Sequence, residues 1–141
     1  MGIFNLLIEK IFYTNEDLKY LSGIDFLGKG DNFLLSNYFK RLYFNHEKKY
    51  YAYGKRAFGI WWLIYTRNNQ IIEVYLDRKK LDNDQFSIVQ KNHYLEIKKY
   101  GLVEILEKPH YATYKCYENE KYQIVIDKDR IVIRDVVRRI I

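Results

Sequence analysis

Ala57-Phe58-Gly59-Ile60-Trp61-Trp62-Leu63-Ile64-Tyr65 is the stretch whose reading decides the fold. It holds both tryptophans, and no charge falls between Arg56 and Arg67. An apolar run of this length, rich in β-branched and aromatic residues, predicts a strand buried on both faces. Thr66-Arg67-Asn68-Asn69 then supplies turn chemistry, because Asn tolerates positive φ. Gln70 to Leu76 returns as a second strand, with Ile72, Val74 and Leu76 on one face. The pair predicts a hairpin whose first arm lies mid-sheet.

Toward the C-terminus the period stays at two. Tyr111 to Tyr117 alternates and Glu118-Asn119-Glu120-Lys121 turns. Tyr122 to Ile126 runs back, Asp127-Lys128-Asp129 turns, and Arg130 to Arg134 returns, which predicts a three-strand meander. Between hairpin and meander, Phe86, Val89, His93, Ile97 and Tyr100 share one helical stripe that Asp84 can cap and Gly101 can end, although a pair of strands also fits Phe86 to Ile97. Leu102 to Leu106 fits either helix or strand.

Toward the N-terminus, Ile3 to Phe12 has the spacing of an amphipathic helix, and Thr14 can cap a second short helix that Gly23 would end. Leu27-Gly28-Lys29-Gly30-Asp31-Asn32 lacks both full phosphate-loop spacings and reads as an N-capping turn, with Asp31 or Asn32 as cap. The helix that follows would align Leu34, Leu35, Tyr38, Phe39 and Leu42, and Tyr50 to Tyr53 is a strand. The expected class is therefore α+β, with N-terminal helices packed on an antiparallel sheet made of the central hairpin and the meander.

The 141 residues fit one domain with a core of its own. The lone cysteine, Cys116, excludes an internal disulfide, and no run approaches a membrane span of about 18 apolar residues. With no basic leader ahead of an apolar segment, and only Lys10 on the first amphipathic stretch, the chain reads as soluble and cytoplasmic, with no membrane partner.

The net charge of +6 is uneven. From Tyr38 to Arg56, Lys40, Arg41, Lys48, Lys49, Lys55 and Arg56 face only Glu47, a local net of +5. The same segment holds Tyr38, Tyr43, Tyr50, Tyr51 and Tyr53. Cations interleaved with aromatic rings suit single-stranded nucleic acid, where cations hold phosphates and rings stack on bases. A solvated helix end and a lysine-protected edge strand produce the same pattern.

No motif carries a specific chemistry. His46, His93 and His110 lie far apart, with no zinc-ligand spacing, so no metal or cofactor is expected. His93 sits on an apolar stripe and reads as a packed residue. Cys116, in register with Ala112 and Tyr114, reads as a buried structural thiol on the inner face of its strand. Ser22, Ser36 and Ser87 lack a nucleophile elbow. A metal-independent ribonuclease would need two proton-transfer groups and cations, and only His46 falls inside the basic segment. The expectation is that the chain is not an enzyme.

In size, tyrosine-rich composition and lack of a catalytic motif the chain resembles the immunity proteins encoded beside polymorphic and contact-dependent toxins. That resemblance implies a non-catalytic protein that occludes a cognate toxin. Tyrosine suits such an interface, burying large area with few rotamers while keeping a hydrogen-bonding tip. The partner-binding residues expected on this reading are Tyr43, Tyr50, Tyr51 and Tyr53 as anchors, with Lys48, Lys49, Lys55 and Arg56 as charges. The alternative is a single-stranded nucleic-acid binder using the same segment.

Overall fold

A computed structural model describes residues 23–57, 60–78, 85–109 and 111–138. The helices expected over Ile3 to Phe12 and from Thr14 lie outside the described residues, as does Asp84. The elements run α1 (Gly23–Phe26), α2 (Asp31–Ser36), β1 (Lys40–Asn45), β2 (Tyr50–Ala57), β3 (Ile60–Arg67) and β4 (Gln70–Arg78). The long helix α3 (Gln85–Lys99) follows, then β5 (Val103–Ile105), β6 (Lys115–Glu118), β7 (Tyr122–Ile126) and β8 (Arg130–Asp135). All eight strands form one sheet, in the order β1-β2-β3-β4-β8-β7-β6-β5. Every neighbouring pair is antiparallel.

The sheet is two four-strand meanders joined where β4 pairs with β8. Helix α3 carries the chain from mid-sheet to the far edge, so the second meander steps inward until β8 reaches β4. The antiparallel α+β class is therefore present, with the hairpin and the three-strand meander both inside it, although the meander's first strand is Lys115–Glu118 and not Tyr111 to Tyr117. Helices α1 and α2 precede the sheet and put Ile24, Phe26 and Leu34 into its core, and the longest described helix, α3, lies between the meanders, where the His93 stripe fits one.

Turn residues fix the registers. Asn68 and Asn69 both take positive φ (52° and 60°), the two-residue hairpin geometry that matches strand twist. Asn69 Oδ1 also accepts the N–H of Asp31 at 2.8 Å, so the hairpin tip caps α2 from 38 residues away. The expected caps were Asp31 or Asn32, yet the N-cap position is Gly30, whose own side chain can offer nothing. Lys29 and Gly28 tie the same loop to Ile71 by backbone bonds of 2.8 and 2.9 Å.

Helix α2 is shorter than its apolar pattern implied. Tyr38 adopts φ 65°, Tyr38 N–H bonds Leu35 O, and Phe39 N–H bonds Leu34 O at 2.9 Å. That pair of bonds terminates a helix and brings Phe39 against Leu34, both buried. Of the five residues expected on one helix face, Leu34 and Phe39 are buried, Leu35 and Tyr38 are exposed, and Leu42 belongs to β1. Likewise Gly23 lies in a helical turn instead of ending one, because its missing Cβ lets α1 pack onto Ile133.

Burial along β3 alternates strictly: Ile60, Trp62, Ile64 and Thr66 are buried, while Trp61, Leu63, Tyr65 and Arg67 are half-buried. The strand is thus not buried on both faces, as its composition predicted. One face carries the core, where Trp62, Ile64, Val74, Leu76, Ile131 and Ile133 pack under Phe26, Leu34 and Phe39 and under Phe86, Val89 and Ile97 of α3. Trp62 lies edge-on to Phe26 and Phe39, with ring centroids 5.5 and 6.5 Å away. A register shift between Tyr65 and Thr66 makes Ile71, not Ile72, the core neighbour of Val74 and Leu76. Ile72 is the extra residue of that bulge and stays outside the core cluster although buried.

Cys116 pairs with Val125 and Ile105 and is half-buried on the second face, because Tyr117, not Cys116, points to the core in β6. His93 is a packed residue as expected. A backbone N–H can only donate, so Gly23 N–H fixes Nε2 as acceptor at 3.0 Å. The Nδ1–H therefore donates to Val89 O at 2.7 Å. Complete burial pushes its pKa down to about 4.

Candidate functional site

The basic and aromatic residues of β1 and β2 do not form one surface. Alternation along β2 sends Tyr51, Tyr53 and Lys55 to the helix-covered face and Tyr50, Ala52, Gly54 and Arg56 to the other. Tyr53, expected as an exposed anchor, is fully buried. Its hydroxyl donates to Asp31 Oδ2 at 2.7 Å and accepts from Arg41 Nη2 at 2.8 Å. Burial, then the Asp31 carboxylate, pushes the Tyr53 phenol up to about 12. Tyr51 lies under Arg41, whose guanidinium sits 4.6 Å from the ring centre. Lys55 donates to Asn37 O at 2.8 Å, and burial lowers its pKa. Tyr51, Tyr53 and Lys55 therefore support the edge of the core.

The remaining candidates lie on or beside the second face, with Arg56 at the opposite end of β2 from Tyr50. Tyr43 and Tyr50 lie on the second face, Arg56 stacks 5.3 Å from Trp61 on that face, and Lys48 and Lys49 are exposed in the β1–β2 turn. That turn closes through Asn45, whose side chain accepts Lys48 N–H at 2.8 Å while Lys49 takes φ 61°. Arg67 Nη2 donates to Lys48 O at 2.7 Å and fixes the turn against β3.

The second face adds residues that the linear segment does not contain. Tyr43, Tyr50, Tyr65 and Tyr75 form a continuous row, with successive ring centroids 6.3, 4.7 and 5.3 Å apart across four strands. Asn45 Nδ2 donates to the Tyr50 hydroxyl at 3.3 Å. Burial raises the pKa of all four phenols, so they stay protonated donors at neutral pH. Under the row Ala52 is fully enclosed. Beside it Leu42 and Trp61 close over Gly54, where an added Cβ would meet each at 3.0 Å.

Toward β8 the row ends in a polar cluster. Tyr75 donates to Glu73 Oε1 at 2.8 Å, and Arg134 bonds Glu73 at 3.2 Å, Tyr75 at 3.1 Å and Gln123 at 3.1 Å. Glu73 is 2% exposed, so this web is what makes a buried carboxylate tolerable. Arg130 forks onto Asp77 at 2.5 and 3.2 Å. These pairs sit at cross-strand positions of β4 and β8, Glu73 opposite Arg134 and Asp77 opposite Arg130. Among the described residues no helix packs on this face, whereas the core residues of all three helices join the opposite one.

His46 and His93 do not converge. His46 is exposed in the β1–β2 turn, while His93 is bound to Gly23, which packs on Ile133 of β8. Strands β1 and β8 are four spacings apart, about 19 Å. His110 lies outside the described residues. Among the described residues no three His, Cys, Asp or Glu side chains gather closely enough to hold a metal ion, and no helix is long and apolar enough to cross a membrane.

Trp61, Tyr65, Tyr75, Arg130 and Arg134 were missed as surface residues by sequence reasoning. Their signal was the odd register of Trp61-Leu63-Tyr65-Arg67, which ends in a cation and so marks a face open at one end. No family of known proteins matches the chain, and neither a curated protein nor a solved structure is significantly similar to it.

Proposed function

We propose that the protein is a non-catalytic binding module that docks the tyrosine face of its sheet onto an acidic protein partner, in the manner of an immunity protein covering a bacterial toxin. The observation that carries the reading is the Tyr43–Tyr50–Tyr65–Tyr75 row. Rings already locked against each other lose little rotamer freedom on binding, and each phenol keeps a polar tip for the partner. From β1 to β8 the face spans about 19 Å across the strands and about 20 Å along them. That is about half of the roughly 800 Å² that one partner contributes to a standard interface, so the row forms its centre and the surrounding turns its rim.

Charge selects the partner. On this face Glu73 and Asp77 are already paired with Arg134 and Arg130. Lys40, Lys48, Lys49 and Arg56 are exposed around the aromatic row, where they complement carboxylates on a partner's rim and speed encounter. The same exposed cations favour a second reading, single-stranded nucleic acid stacked on the row. On that reading Lys48→Ala with Lys49→Ala lowers the log–log salt slope by about 1.4–1.8.

The test is site-specific photo-crosslinking in the producing cell. A photoreactive residue at Tyr43 should capture one protein, and the same residue at Tyr94, on the exposed side of α3, should not. Capture of nucleic acid at Tyr43 supports the second reading, and capture of protein only at Tyr94 removes the docking face.

A further inference from the structure

Seven arginines are described, and four of them meet a carboxylate: Arg41 with Asp31, Arg78 with Asp129, Arg130 with Asp77 and Arg134 with Glu73. Arg56 stacks on Trp61. The remaining two, Arg67 and Arg138, line one cavity of about 360 Å³ together with Asn68, Gln70 and Ile72. Arg67 comes from the end of β3, Gln70 and Ile72 from the start of β4, and Arg138 from the turn after β8.

Each guanidinium is positioned without being neutralised. Arg67 donates to the carbonyl oxygen of Lys48 at 2.7 Å, and Arg138 donates to the side-chain amide oxygen of Gln70. Both acceptors are uncharged, and among the described residues no carboxylate lines the cavity. Asp135, which precedes the turn, accepts the N–H groups of Val137 and Arg138 on Oδ1 at 3.0 and 3.1 Å and lines a neighbouring hollow, not this cavity. A guanidinium has five N–H donors in a flat fork, so each arginine keeps several to offer. Asn68 adds a side-chain amide to the lining. Buried Ile72 belongs to the apolar wall.

We propose that this cavity is an oxyanion-binding site, in which a carboxylate or phosphate group is held between Arg67 and Arg138. Four of the other five described arginines meet a carboxylate of the same chain; here the anion comes from outside. The site adjoins the tyrosine face through Arg67, two residues beyond Tyr65, but does not depend on that face being a docking surface.

The test is a backbone NMR titration of the full chain with inorganic phosphate and, separately, with glutarate, at ionic strength held constant with chloride. Saturable shifts are expected at the amides of Asn68, Gln70, Ile72 and Arg138. Affinity should fall at least about tenfold in Arg67→Gln and in Arg138→Gln, the loss expected for one charged hydrogen-bonding partner. Arg78→Gln, at a pair remote from the cavity, should leave affinity unchanged. Response to both anions assigns a general oxyanion site that a partner's acidic side chain can fill, and response to phosphate alone assigns a phosphate site. Shifts that fail to saturate, that chloride reproduces, or that persist in both cavity variants overturn the proposal.

Discussion

Replacing the two adjacent tryptophans one at a time tests the register on which everything else rests. Trp62 is fully buried and touches Phe26 and Phe39 edge-on, whereas Trp61 is half-buried on the second face beneath Arg56. Burying a tryptophan removes about 200 Å² from water, worth about 5 kcal/mol at 25 cal/mol/Å². Alanine retains a fraction of that area, and the two ring contacts add about 0.5–1.5 kcal/mol each. Against this, the Trp62 indole N–H finds no acceptor, so its removal relieves a cost of about 1–3 kcal/mol. Trp62→Ala should therefore cost about 3–4 kcal/mol, and Trp61→Ala, with half the area at stake, about 1.5–2 kcal/mol. Trp62→Phe keeps the edge-on contacts and drops the N–H, so it should stay within about 1.5 kcal/mol of wild type. Urea unfolding followed by circular dichroism measures all three. A larger loss for Trp61→Ala than for Trp62→Ala would refute the reasoning, because a one-residue slip exchanges the two faces.

Three further outcomes follow from particular contacts. His93 has a folded pKa of about 4 against 6.5 unfolded, so the unfolded chain binds the proton more tightly. The stability it contributes is complete above about pH 6.5 and is lost as the pH falls toward 4. By pH 4.5 that loss is about 2–3 kcal/mol, and His93→Gln should flatten this part of the pH–stability curve. Tyr38 is 72% exposed at φ 65°, a region that penalises a Cβ, so Tyr38→Gly should raise the urea midpoint by the equivalent of about 0.5–1 kcal/mol. Arg134→Ala leaves the buried Glu73 carboxylate without its cation and should cost about 3 kcal/mol, most of which the double variant with Glu73→Gln should recover.

Most strand positions were legible in the sequence because alternation and turn residues act locally. Asn68-Asn69 marked the hairpin, Asn119 and Asp127 lay in the meander turns, and the His93 stripe marked α3 with its stop at Gly101, φ 66°. What stayed hidden was decided by contacts distant in sequence. Asn69 caps α2 across 38 residues, and the Schellman-type stop at Tyr38 needed Phe39 to reach Leu34 instead of continuing a helix to Leu42. The site was half legible for the same reason. Tyr43, Tyr50, Lys48, Lys49 and Arg56 were named from their clustering. Tyr51, Tyr53 and Lys55 were grouped with them because a linear charge count ignores the period of two, which turns alternate residues of β2 into the core. Tyr65 and Tyr75 complete the row only through strand pairing.

The central claim, that the tyrosine face is the docking surface, is tested most directly by titrating the partner captured at Tyr43 against three forms of the protein. Wild type, Tyr50→Ala with Tyr65→Ala, and Tyr94→Ala with Leu95→Ala should each be titrated by calorimetry after nuclease treatment. The row variant should bind at least about 30-fold more weakly, the effect of losing about 2 kcal/mol at an aromatic anchor, while the α3 variant stays within about threefold of wild type. Equal affinity for the row variant and wild type, or a loss confined to the α3 variant, would contradict the claim.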